Sequence, residues 1–135
     1  MPKKDYYHDV VARALIKDGW AITDEQVKVI VDERNLYIDL EATKDSTGLI
    51  ILVEVKELDD VDSPVEALAN AVGKYFLYRT SLNDKEINTP LYLAVSVAAY
   101  QGILSETIGK LAVTQGNILL LIFDPEQEEV VRWIP

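Results

Sequence analysis

Two runs of strand length, "NLYIDLEA" (Asn35 to Ala42) and "GLIILVEVKEL" (Gly48 to Leu58), lie only five residues apart, Thr43 to Thr47. A link that short restricts two extended segments to a hairpin. In the first run side chains alternate, so Leu36, Ile38 and Leu40 share one face while Tyr37, Asp39 and Glu41 share the other. In the second, Leu49 to Val53 is apolar on both faces, as in an interior strand. One face then turns polar with Glu54 and Lys56, while Val53 and Val55 keep the other apolar. Antiparallel pairing brings Asp39 within reach of Glu54, with Cβ atoms ~5 Å apart if directly opposite and ~7 Å apart on the diagonal. Glu54 and Lys56 share a face at roughly 6.6 Å.

Two carboxylates about 4 Å apart repel by ~4 kcal/mol at an effective dielectric of about 20, a sizeable cost against a total stability of roughly 5–15 kcal/mol. Positive charge must offset it. Lys56 supplies part, and a hard divalent cation such as Mg²⁺ or Mn²⁺, bound by oxygen ligands and keeping several waters, would supply the rest. A metal held by Asp39 and Glu54 would polarise a phosphodiester and activate a water. The Lys56 ammonium would orient that water or stabilise charge developing on the phosphate. This is the chemistry of a metal-dependent nuclease. The same residues also admit a structural reading, in which Asp39 and Glu54 are strand-end residues facing solvent and Lys56 closes a cross-strand salt bridge.

Asp39, fourteen intervening residues and then "EVK" (Glu54 to Lys56) resembles the PD-(D/E)xK pattern of restriction-endonuclease-like proteins. The flanking text is more specific. "HDVVARALIKDGWAIT" (His8 to Thr23), "LYIDLEA" (Leu36 to Ala42), "VEVK" (Val53 to Lys56), "GKYFLYR" (Gly73 to Arg79), "PLYLAVS" (Pro90 to Ser96) and "FDPEQEEVVRWIP" (Phe123 to Pro135) resemble, in order and nearly end to end, the XisH family. The resemblance implies a factor controlling excision of the fdxN DNA element, acting beside a site-specific recombinase and a second small protein of the XisI kind. It also implies an endonuclease-like fold with Asp39, Glu54 and Lys56 at the metal-binding and catalytic positions. The chain departs from the family pattern at Glu57, where a Ser is usual, and at Lys74, where a Gln is usual.

Composition bounds the reading independently. A chain of 135 residues with 49% hydrophobic content is expected to form one domain, spanning residues 1–135. No apolar run reaches the ~18 residues of a membrane span, and the start has no apolar stretch behind its lysines, so a cytoplasmic protein is expected. The absence of cysteine excludes disulfides, thiolate zinc sites and cysteine nucleophiles. A single histidine confines any His-based scheme to His8, whose helical neighbours Val11 and Leu15 equally suit packing at the flank of an apolar face. His8, with Asp5 one turn before it, is kept as an auxiliary site residue. The formal charge of −10 opposes unaided DNA binding, because affinity for phosphates comes largely from Lys and Arg. The lysines and arginines are scattered along the chain. DNA is therefore expected as a partner only within a complex, and a homodimer is compatible with an enzyme that cuts two strands.

The periodicities predict a helix over about 4–18 with Tyr7, Val10, Val11, Ala14 and Leu15 on one stripe and Gly19 as its cap. A short extended segment at 20–23, a strand at 27–32 and strands at about 36–42 and 49–57 follow. "SPVE" (Ser63 to Glu66) opens a second helix with an N-cap Ser, a Pro at the first position and a capping-box Glu. That helix runs to about Leu82 with Val65, Leu68, Val72, Tyr75, Phe76 and Arg79 as its stripe. A strand at 91–97, a mostly helical stretch at 98–113 and a hairpin about "DPEQ" complete the chain. The fold class is α/β, an αβββαβ restriction-endonuclease-like core with a C-terminal helix and β-hairpin extension. No phosphate loop, dinucleotide fingerprint or "GxSxG" elbow is present. A Mg²⁺-dependent DNA endonuclease and a non-enzymatic regulatory subunit that retains the nuclease fold remain as the two readings.

Overall fold

Helical spacing puts Val10, Val11, Ala14 and Leu15 on one face of the first helix, α1 (Lys3–Lys17), and all four are fully buried. The helix ends where Gly19 takes a φ of +88°, with its N–H donating back to the carbonyl of Ile16. The computed structural model describes the backbone of residues 3–135 and the side chains of residues 6–135. Asp5 thus lies outside the described side chains.

Six strands form one sheet in sequence order: β1 (Trp20–Val31), β2 (Arg34–Lys44), β3 (Ile50–Val55), β4 (Leu91–Ser96), β5 (Leu119–Asp124) and β6 (Glu129–Ile134). The first three pair antiparallel, β3–β4 and β4–β5 pair parallel, and β5–β6 closes as an antiparallel hairpin. Parallel neighbours need crossovers. α2 (Pro64–Asp84) supplies the first, and α3 (Val97–Gln101), a 3₁₀ turn (Ile103–Ser105) and α4 (Thr107–Gln115) supply the second. Leu68, Tyr75 and Tyr78 of α2 pack with Ala99, Ile103 and Leu104 on one sheet face, over Leu52, Leu93 and Leu120. On the other face α1 meets Leu40, Val53, Val55, Ala94, Leu121 and Phe123. The central strands are covered on both faces, which is why residues 50–53 of β3 and 119–123 of β5 read as unbroken apolar runs.

The α/β class holds, and several details differ from expectation. β1 is one strand rather than two segments, because the polar stretch Thr23 to Gln26 stays in register with β2 apart from an irregularity at Ile22/Asp24. The stripe of α2 is Leu68, Ala71, Tyr75, Tyr78 and Leu82, whereas Val65 (50%) and Phe76 (54%) are exposed. The mostly helical stretch expected at 98–113 is three short pieces, α3, the 3₁₀ turn and α4. Ser96 caps α3 through its Oγ, which accepts from the N–H of Ala99 at 3.1 Å. The final hairpin is no appendage, since β5 pairs with β4 and its Leu121 and Phe123 are fully buried. Among the described residues no helix is long and apolar enough to cross a membrane.

Candidate functional site at the β2–β3 junction

The β2–β3 ladder runs from Thr43↔Ile50 to Leu40↔Val53 and stops there. In that register the next pair is Asp39 with Glu54, and their side chains take over from the backbone. The N–H of Asp39 donates to Glu54 Oε1 at 3.2 Å, and the N–H of Val55 donates to Asp39 Oδ2 at 2.8 Å. Ile38 and Leu40, two residues apart on β2, pack into different clusters on either side of the sheet. A flat strand would put them on one face, so the β1–β2 ribbon turns relative to the rest of the sheet at Asp39. The separation of the strands at this point leaves backbone N–H groups that the two carboxylates satisfy.

Both acids are buried, Asp39 at 6% exposure and Glu54 at 1%. The charge that faces them comes from α2. Lys74 Nζ stands 3.0 Å from Glu54 Oε2. It lies off the axis of a hydrogen bond, so Oε2 has a neutralising charge yet no aligned donor among the described residues. Lys74 also lies over the Tyr78 ring, 5.5 Å from its centroid. Lys56, just past the end of β3, donates from Nζ to Asn70 Oδ1 at 3.1 Å. Asn70, Lys74 and Tyr78 are four residues apart on α2, so one stripe of the helix serves the whole junction.

These surroundings set the titration of the pair. Burial pushes the Glu54 carboxyl up to about 7 and the charge on Asp39 adds to the rise, while Lys74 pulls it back. For Lys74 burial acts downward, and the contact with Glu54 outweighs it, so the ammonium form is favoured. The Tyr78 phenol is raised, by burial first and then by the Glu54 charge.

Asp39, Lys74 and Tyr78 line an open polar cleft of about 390 Å³ together with His8, Gln26 and Asn35. His8 Nε2 is 2.9 Å from Glu25 Oε1. Of the residues singled out from the sequence, the structure places Asp39 and Glu54 against each other and His8 on the same cleft. It directs Lys56 to Asn70. The cation beside Glu54 is Lys74, and the signal for it was the polar stripe Asn70, Lys74, Tyr78 bordering the apolar face of α2.

As they stand, Asp39 and Glu54 do not fit a divalent ion. One oxygen of each accepts from a backbone N–H, and the remaining oxygen of Glu54 faces an ammonium. Among the described residues no group of three or more His, Cys, Asp or Glu is arranged to hold a metal.

The model of the XisH protein family matches residues 1–131. The crystal structure of an XisH family protein from Nostoc punctiforme is similar, with 33% identity, a TM-score of 0.89 and coverage of 97% of this chain and 100% of that one. The crystal structure of a fdxN element excision controlling factor protein from Anabaena variabilis is similar at 34% identity and a TM-score of 0.90, covering 97% of this chain and 99% of that one. No relative was found among curated proteins.

Proposed function

The chain belongs to the XisH family, and from that premise we infer that it is a controlling factor for excision of a DNA element, working as a regulatory subunit inside an assembly. The observation that carries the assembly reading is the state of its cations. Arg13 pairs with Glu128, Lys44 with Asp18 and Lys74 with Glu54, while Lys17 and Arg79 donate to backbone carbonyls and Lys56 to Asn70. Six of the thirteen cations are thus engaged, within a chain whose formal charge of −10 opposes unaided contact with phosphates. A partner, of the XisI-like kind that the family resemblance implies, brings the positive surface.

A second reading is a Mg²⁺- or Mn²⁺-dependent endonuclease of the PD-(D/E)xK type, with Asp39 and Glu54 as metal ligands, Lys56 as the catalytic cation and His8 as an auxiliary. Glu54 Oε2, buried without an aligned donor among the described residues, favours it. That reading requires Lys74 to leave the carboxylate.

Excision measured in cells carrying the recombinase and the partner separates the two. Asp39→Ala and Lys56→Ala variants that fold and retain full excision support the regulatory subunit. Loss of excision in both, with assembly intact by co-purification, supports the nuclease.

A further inference from the structure

The Asp39–Glu54 pair presents a specific imbalance. Two carboxylates buried side by side need a cation, and one oxygen, Glu54 Oε2, is buried with no aligned donor among the described residues. The group that answers this need is a side chain of the protein itself, since Lys74 Nζ stands 3.0 Å from that oxygen. Lys74 reaches the pair from the cleft, the side from which an ion would enter. Its position is fixed by α2, with Asn70 one turn before it bonded to Lys56 and the Tyr78 ring one turn after it beneath the ammonium. A hydrated divalent ion offers a carboxylate pair charge and water protons, whereas an ammonium offers one charge and three N–H donors on a tether. The two cannot share the site, because an ion bound to Oε2 would lie in like-charge contact with Nζ.

We propose that Lys74 is a tethered cation that takes the place of a divalent metal at the Asp39–Glu54 pair, and that the pair takes up a divalent cation only when Lys74 is removed. In the wild-type cleft the Lys74 ammonium offsets one carboxylate charge of the pair without metal. Removing the ammonium leaves two carboxylates with one oxygen each not bonded to backbone, hard donors of the kind Mg²⁺ or Mn²⁺ takes.

The proposal goes beyond the assembly reading and concerns the carboxylate pair that the second reading would load with metal. Its test contains neither DNA nor partner, so either can fail without the other. Mn²⁺ is titrated into the full chain at pH 8 and followed by calorimetry and by broadening of the Asp39 and Val55 amide signals. In wild type the expected result is no broadening confined to these amides, and no saturable binding beyond that of an Asp39→Asn/Glu54→Gln double variant. Lys74→Met should gain one saturable site at least about tenfold tighter than wild type, a difference readily resolved in binding free energy. The Mn²⁺ should broaden those two amides and be lost again when Asp39→Asn is added. Lys74→Gln provides the same measurement if the Met variant does not fold. Site-specific broadening in wild type at the concentration that saturates the variant overturns the proposal, as does a folded Lys74→Met or Lys74→Gln chain that binds Mn²⁺ no better than wild type. Should neither variant fold, the wild-type broadening alone decides it.

Discussion

Glu54 is the residue whose environment most distorts its ordinary chemistry. Its carboxyl ionises near 4.5 in an unfolded chain and is pushed up to about 7 in the folded one, first by burial and then by Asp39. Between those values the folded state holds a proton that the unfolded chain has released, so stability falls as pH rises through this interval and levels off above it. At roughly 1.4 kcal/mol per pH unit the loss is bounded at a few kcal/mol. Lys74 does not titrate in this window, because its ammonium form is favoured and deprotonates only above the ordinary lysine range. Urea unfolding across about pH 5 to 8 should therefore show declining stability in wild type and a flatter profile in Glu54→Gln; matching slopes in the two would contradict the assignment. Asp39 and Glu54 were legible in the sequence because each interrupts an apolar strand run, and isolated charge in such a run is costly enough to need a reason. The polar stripe of α2 and the departure from the family pattern at Lys74 marked that lysine, but not its pairing with Glu54, which joins a strand to a helix twenty residues later through a crossover whose rotation no local pattern encodes.

Elements were readable where a local device sets their ends. Ser63 Oγ accepts from the N–H of Glu66 at 3.3 Å and Pro64 opens α2, as the "SPVE" text specifies. The "DPEQ" turn likewise closes on Asp124 Oδ1, which accepts from the N–H of Glu126 at 2.9 Å. The broken helix after β4 was hidden because apolar residues continue through it at helical spacing. What breaks it is a close approach of backbone. Gly109 is buried in α4 directly against the 3₁₀ turn, and a Cβ there would overlap the Ile103 carbonyl oxygen and come within 2.6 Å of Leu104 Cα. Both obstacles are main chain, so no side-chain rotation relieves them. Gly109→Ala should thus cost about 2–3 kcal/mol or more through overpacking. Ser63→Ala, which removes one capping bond, should cost about 1 kcal/mol. Urea midpoints of the two variants check the ranking, and a Gly109→Ala chain as stable as Ser63→Ala would show that α4 can shift away from the turn at little cost.

For the whole molecule the governing quantity is charge. Twenty-three acidic side chains face thirteen basic ones, and the structure engages Arg13, Lys44 and Lys74 in ion pairs with acids of the same chain. Each phosphate contact with DNA would have to draw a cation from such a pair or bring the duplex against a net negative surface, both unfavourable at any salt concentration. Screening at about 0.15 M ionic strength, with a Debye length of about 8 Å, weakens that repulsion but supplies no attraction. The isolated chain should therefore show no saturable binding to a fluorescent duplex by anisotropy at that salt. Lowering the salt should fail to produce it, because weaker screening strengthens the repulsion between phosphates and a chain of formal charge −10. Adding a basic partner protein should restore binding with the steep salt dependence of a cationic surface. Tight, salt-sensitive binding by the chain alone would mean that a basic face lies where the engaged side chains do not reveal it, and the assembly reading would give way to a free-standing DNA-binding protein.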